Sequence, residues 1–231
     1  MRSSNVAKRM KRLLFVLVVV LLVVGHLLPW AAHRTAPLTL SANDLAFFTN
    51  FTPGAGIFLN EWFYLPVWVG AGVSLAIGYL LSRWNRLLIT ALAVGVASLG
   101  LPRYEQFIKF IRTPAQALRE SEFALQLGLT LLVIGLVMVF TLKPTWLRKL
   151  RRFHSIGLGL AAALCAVPLV GFLVIRPFIA ELYRDAVGIG IGWWLSLLAD
   201  LLLWAMTFAT IVGDLPAITV RLAHRTPPTP H

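Results

Sequence analysis

The sequence predicts an all-α protein: a polytopic transmembrane helical bundle of six spans, with both termini in the cytoplasm and short amphipathic helices on the outer face. Three observations carry that expectation. Of the 231 residues 58% are hydrophobic and only 13% are charged, against roughly 25% charged in soluble domains. Charge-free runs recur at lengths that cross a hydrocarbon core of about 30 Å. Lys and Arg gather in alternate segments between these runs, as expected of short cytoplasmic loops.

The chain opens with a basic stretch, residues 1–12, placed in the cytoplasm, and the first span covers 13–30. Its apolar run exceeds the roughly 7–15 residues of a signal-peptide core, so it reads as an uncleaved signal anchor. Further spans are expected over 65–81, 86–102, 123–142, 155–175 and 189–212. The third is the shortest and needs interfacial residues at its ends to reach across. Together residues 13–214 form the membrane domain, and 215–231 form a cytoplasmic tail that ends in the proline-rich RTPPTPH.

Charge placement fixes the expected orientation. With the amino terminus inside, the cytoplasmic segments hold 14 basic residues (Arg2, Lys8, Arg9, Lys11, Arg12, Arg83, Arg86, Lys143, Arg148, Lys149, Arg151, Arg152, Arg221 and Arg225) against one acid, Asp214. The other side holds seven basic residues and seven acids. Aromatic anchors follow the same scheme: Trp30, Trp62, Tyr64, Trp68, Trp193 and Trp194 fall near the outer boundary, and Trp84 and Trp146 near the inner one.

The expected outer segments carry helical signals of their own. Ser41 followed by Asp44 reads as a capped helix start, closed by Pro53 and Gly54. Tyr104, Phe107, Ile108 and Ile111 recur at helical spacing among charges, the pattern of a helix lying in the interface. Thr113 and Pro114 read as the N-cap and first residue of a helix that continues into span four. PFIAELYRDAVG, between spans five and six, is a third amphipathic stretch.

Within lipid no hydrophobic force draws helices together, so they associate where small residues let backbones approach. At spacing four, Gly70, Ser74 and Gly78 in span two, Ala91 and Gly95 (with Ala93 and Ala97) in span three, and Gly157, Ala161 and Cys165 (with Gly159 and Ala163) in span five form such faces. They are expected to line the bundle interior, with self-association as the lesser use. Cys165, the one cysteine, has no partner for a disulfide and packs as a small hydrophobe.

The candidate functional residues inside the membrane are Asp200, Pro168 and Glu61. Asp200 sits mid-span, where an ionised carboxylate costs about 2.5 kcal/mol or more unless paired or hydrated, and such acids mark proton or ion paths. Its structural alternative is a hydrogen bond to Ser74, Ser98 or Thr130, or an ion pair with Arg176. Pro168 kinks span five and frees a backbone carbonyl, its bland reading being a tolerated bend. Glu61, beside Trp62 at the head of span two, either guards an outer vestibule or is a solvated boundary charge.

Other chemistries find little footing. His26 and His154 lie at opposite depths, which disfavours one shared haem; His33, His224 and His231 lie outside the spans, and no HExxH, GxSxG or phosphate-binding loop occurs. No catalytic group, cofactor or metal site is expected. The net charge of +12 reflects topology rather than nucleic-acid binding. The leading expectation is a non-enzymatic integral protein of a bacterial type of inner membrane, a subunit or accessory of a larger assembly whose partners are the lipid bilayer and other membrane subunits. Second comes a permease-like component with Asp200 in the path and energy supplied by a partner, and third a haem-binding redox subunit.

Overall fold

Pro29 ends the first helix, because a residue before proline is pushed out of the helical region and proline itself offers no amide. In the computed structural model, which describes residues 2–33, 39–49, 60–78, 83–118, 120–143, 145, 154–184 and 186–223, α1 covers Arg2–Leu27 and the chain passes at once into β1, Pro29–His33. β2 (Thr39–Ser41) leads into α2 (Ala42–Phe48), and a 3-10 turn, Asn60–Tyr64, leads into α3 (Leu65–Gly78). There follow α4 (Arg83–Ser98), α5 (Tyr104–Arg112), α6 (Pro114–Ala117), α7 (Ser121–Leu142), α8 (His154–Tyr183), β3 (Val187–Ile189) and α9 (Ile191–Ala223).

The chain is mostly helical, but not wholly so. A three-stranded antiparallel sheet of order β2-β1-β3 corrects the all-α expectation. Ala31, Ala32 and His33 pair with Ile189, Gly188 and Val187, so the segments that follow the first helix and precede the last one are joined. β-Branched Val187 and Ile189 suit the pleat, and Gly190 donates its amide to the Trp30 carbonyl at 2.7 Å. Strand pairing across so much sequence leaves no mark in local periodicity.

Among the described residues three helical stretches are long and apolar enough to cross a membrane: Phe123–Leu142, Ser155–Tyr183 and Ile191–Val212. The helices at the first three expected spans are shorter in their apolar parts: Arg12–Leu27, Leu65–Gly78 and Arg86–Ser98. Residues 79–81, the expected end of span two, lie outside the described residues.

Several boundaries move for physical reasons. The stretch from Pro177 to Tyr183 is no separate amphipathic helix but the last turns of α8, which runs through both Pro168 and Pro177. Thr113 precedes Pro114 as expected but makes no side-chain cap, and α6 stops after one turn. A break before Ser121 therefore separates α6 from α7, and the projected continuous helix is absent. At the third expected span α4 ends at Ser98, followed by a turn in which Leu99, Gly100 and Leu101 bond back to Val96, Ala97 and Ser98.

The core gathers around α1, α3, α8 and α9. Phe15, Val18, Leu22, Val67, Ala71, Phe172, Ile175, Ala199 and Leu203 are each buried to within one percent of full. Trp30, expected as a boundary anchor, is instead wholly buried. Its ring lies edge-on to Phe63 and Phe172, and its indole donates to the Gly25 carbonyl at 2.8 Å. Trp68 and Trp193 are also inside, whereas Trp194 is exposed. Large apolar side chains cover the outside of the bundle, among them Leu88, Leu132, Leu142, Ile156, Leu160 and Phe208.

Candidate functional site

Two places hold polar groups that the fold has taken trouble to bury. The first lies at the sheet end of the bundle. α2 starts with the expected capping box: Asp44 N–H donates to Ser41 Oγ at 3.3 Å, and Ser41 N–H donates to Asp44 Oδ2 at 3.0 Å. The other oxygen of that carboxylate accepts from Arg103 Nη2 at 2.7 Å. Arg103, just before α5, also lies over the Phe47 ring, 4.8 Å from its centroid. Tyr64 Oη donates to Asn43 Oδ1 at 2.7 Å, so α2 is tied both to the head of α3 and to the approach of α5.

Between these elements opens a cleft lined by Asn60, Glu61, Tyr64, Arg103, Gln106 and Gln126. It is a half-open cleft of about 350 Å³, part of that space continuous with the surroundings. Glu61 is buried, which excludes the solvated boundary charge of the sequence-based alternative. Thr49 bonds the Ala46 carbonyl at 2.8 Å and also meets Asn60 Oδ1. Gln126, from α7, donates to the Gly100 carbonyl at 3.1 Å, an oxygen that Thr130 also uses at 2.8 Å. Burial above all pushes the Tyr64 phenol pKa up; its hydrogen bond with Gln126 and the Arg103 charge pull the other way, and Glu61 and Asp44 add to the rise.

The second place is the seam between α8 and α9. Asp200 is 5% exposed, and its Oδ1 finds no hydrogen-bond partner among the described residues. The partners suggested by its depth are engaged elsewhere. Ser74, Ser98 and Thr130 donate to the carbonyls of Gly70, Gly95 and Gly100, and Arg176 donates to the Val187 carbonyl at 2.7 Å. Instead Asp200 lies within electrostatic reach of buried Cys165. Cys165 is one turn from Pro168, whose missing amide leaves the Leu164 carbonyl without its helical donor. Asp200 and Pro168, read separately from the sequence, thus meet at one seam, while Glu61 belongs to the sheet-end cleft.

The small-residue faces divide. Gly70 faces Val96 and Leu22, Ser74 is fully buried, and Gly159 meets Thr207. Ala161 is half-buried, and nothing is described of Gly78 beyond its backbone. Ala91 is exposed, and Gly95 and Gly157 open onto empty space, so these three point away from the bundle interior. The inward face of α4 is the one carrying Ala93 and Ala97.

A close approach of α1 and α9 involves glycines outside those faces. A Cβ on Gly25 would stand 2.5 Å from Ser196 Oγ, and one on Gly192 would stand 2.7 Å from the Gly25 carbonyl. Ser196, one turn from Asp200, is buried with its hydroxyl unpartnered among the described residues.

His26 is buried against Tyr64, with ring centroids 5.8 Å apart, and its Nδ1 has no hydrogen-bond partner among the described residues. His154 opens α8, and His224 and His231 lie outside the described residues. Sequence reading did not find the Asn43, Asp44, Arg103 and Gln126 network. Its available signals were a glutamine inside an otherwise apolar run and an arginine directly after Pro102. No family model, curated protein or solved structure matches this chain.

Proposed function

We propose that this chain is a non-enzymatic integral membrane protein of an inner membrane, a subunit or accessory of a larger membrane assembly, with six spans and both termini in the cytoplasm. The observation that carries the reading is the gathering of all three expected outer segments into one layer. β1 bonds both β2 and β3, Asp44 holds Arg103, and Tyr64 holds Asn43, all at the same end of the bundle. α1 runs into that layer and α9 runs out of it, so both helices extend from it in one direction, which supports termini on a common side. The apolar girdle suits lipid, and the tightly filled core of α1, α3, α8 and α9 suits a structural member.

The test is direct. After cross-linking in native membranes and extraction in mild detergent, the chain is expected in a complex well above its own 25.5 kDa. Migration as the single chain under both conditions overturns the reading. For topology, Arg148→Cys is expected to resist a membrane-impermeant thiol reagent applied to intact cells, in a Cys165→Ala background. Labelling from outside refutes the proposed orientation.

A second reading, a transport component with a partner supplying energy, draws on the unpartnered Asp200 oxygen beside the turn that Pro168 opens. Asp200→Asn separates the two. Loss of proton uptake into proteoliposomes holding a trapped pH dye, with the complex intact, favours transport. Unchanged uptake with a dissociated complex favours the structural role.

A further inference from the structure

We propose that α5 lies flat on the lipid surface at the sheet end, with Tyr104, Phe107 and Ile111 at the acyl boundary and Arg112 on a phospholipid phosphate. The inference rests on the membrane placement proposed above, and its warrant is the way the helix divides its sides. Gln106 and Phe110, one turn apart, face the protein. Gln106 lines the cleft, and the ring of Phe110 meets that of Phe123 at the head of α7, centroids 5.6 Å apart. Tyr104, Phe107 and Ile111 recur at helical spacing on a second side and stand open, Tyr104 at 77% and Ile111 at 69% exposure. Glu105, Lys109 and Arg112, all exposed, hold the third. At 3.6 residues per turn the three sides stand roughly a third of a turn apart.

A helix resting against a bundle in the plane of a bilayer surface needs that division: protein beside it, acyl chains beneath it and water above. The charges agree. Arg112 makes no ion pair among the described residues and sits one turn from half-buried Ile108, at the border of the apolar side. From there its stem can follow the acyl boundary while the guanidinium takes two phosphate oxygens. Lys109 is held by Glu120, and Arg103, just before the helix, by Asp44, so both ends of α5 are pinned to the protein.

Level agrees as well. Phe110 meets the first turn of α7, and the stretch from Phe123 to Leu142 is long and apolar enough to cross a membrane, which sets α5 at one end of the apolar belt. The apolar part of α4, Arg86–Ser98, reaches only about 20 Å against a hydrocarbon core of roughly 30 Å. An apolar side turned to lipid shortly after Ser98 covers part of that shortfall.

The full chain with Cys165→Ala carries one new cysteine at a time, Ile111→Cys, Glu105→Cys or Leu132→Cys, labelled with bimane. It is placed in nanodiscs of equal parts phosphatidylcholine and phosphatidylglycerol, with nitroxide lipid or aqueous iodide as quencher. The label at 111 is expected to be quenched by a nitroxide high on the acyl chain and spared by iodide, and the label at 105 to behave in the opposite way. Leu132, exposed midway along α7, is the control and is expected to be quenched by a nitroxide deep in the chain. Arg112→Glu is expected to lower lipid quenching at 111 and leave it unchanged at 132. Equal iodide quenching at 111 and 105 overturns the proposal, as does equal lipid quenching at the two. Protection of 111 from both quenchers assigns the apolar side to a protein partner and also overturns it. Unchanged quenching at 111 in Arg112→Glu overturns the phosphate contact. Failure at 111 with lipid quenching at 132 refutes the placement of α5 alone, whereas no lipid quenching at 132 refutes the membrane reading itself.

Discussion

The sharpest consequence of the packing concerns four glycines that sequence reasoning ranks one way and the structure ranks the other. A methyl group on Gly192 would press on the Leu28 carbonyl oxygen, and would stand 2.7 Å from both the Gly25 carbonyl oxygen and the ring edge of Trp30. Ordinary contact begins at 3.4 Å, so alanine there needs a shift of more than about 0.7 Å, and most of it against backbone, which cannot swing aside. Overpacking of that kind costs about 1–3 kcal/mol. Gly25→Ala meets Ser196 Oγ, which can rotate, and two backbone atoms at 3.0 Å, and so belongs at the lower end of that range. Gly95 and Gly157 have nothing within 4 Å, so alanine there leaves stability unchanged or raises it by up to about 1 kcal/mol through helix propensity. The assay is equilibrium unfolding of the purified single chain in mixed dodecyl maltoside and SDS micelles, read by tryptophan fluorescence. A Gly95→Ala or Gly157→Ala variant as unstable as Gly192→Ala would refute the close approach of α1 and α9 through Gly25 and Gly192.

Three further outcomes follow from single side chains. Ser41→Ala removes the cap of α2 and is expected to cost about 1 kcal/mol, seen as roughly fivefold faster amide exchange confined to residues 42–48; exchange unchanged there would show the cap to be idle. Asp200→Leu strands no partner of Oδ1, so it is expected to be neutral or mildly stabilising in the unfolding assay; a loss above about 2 kcal/mol would reveal a bond to Asp200. For Tyr64 the folded pKa stands above the ordinary 10.0, so its neutral phenol stabilises fully below pH 10.0 and that contribution is lost as pH rises through the higher folded value. Tyr64→Phe should remove that part of the alkaline falloff in sheet-end amide protection, and an unaltered profile would assign the falloff to another group.

Much of the helical layout was legible because hydropathy and charge placement act over single segments. The three long helices fall where the fourth, fifth and sixth apolar runs are, and the Ser41 capping box is a short local signal that the structure keeps. What hydropathy does not carry is direction. Lipid and protein core are alike to Leu88 or Gly95, so composition cannot tell which side of α4 faces inward, and the small-residue spacing marked both sides, Ala91 with Gly95 outward and Ala93 with Ala97 inward. Trp30 failed for a related reason: a tryptophan near a span end suits an interface, but a buried carbonyl at Gly25 and the edges of Phe63 and Phe172 claim it first. The cleft was half visible. Glu61 stood out as a charge, yet Asn43, Arg103 and Gln126 reach its surroundings through pairings between distant segments that no window spans.

The pairing of β1 with β3 also imposes an order in time. A membrane chain is inserted from its amino end, so α1 and β1 are made long before the strand and helix that complete them. Until Val187–Ile189 and α9 emerge, Trp30 lacks the cover of that strand and Gly25 lacks the neighbour it is shaped for. The first helix must therefore wait for the last, and release of the chain from the ribosome before residue 187 would leave the side of α1 that packs on α9 uncovered.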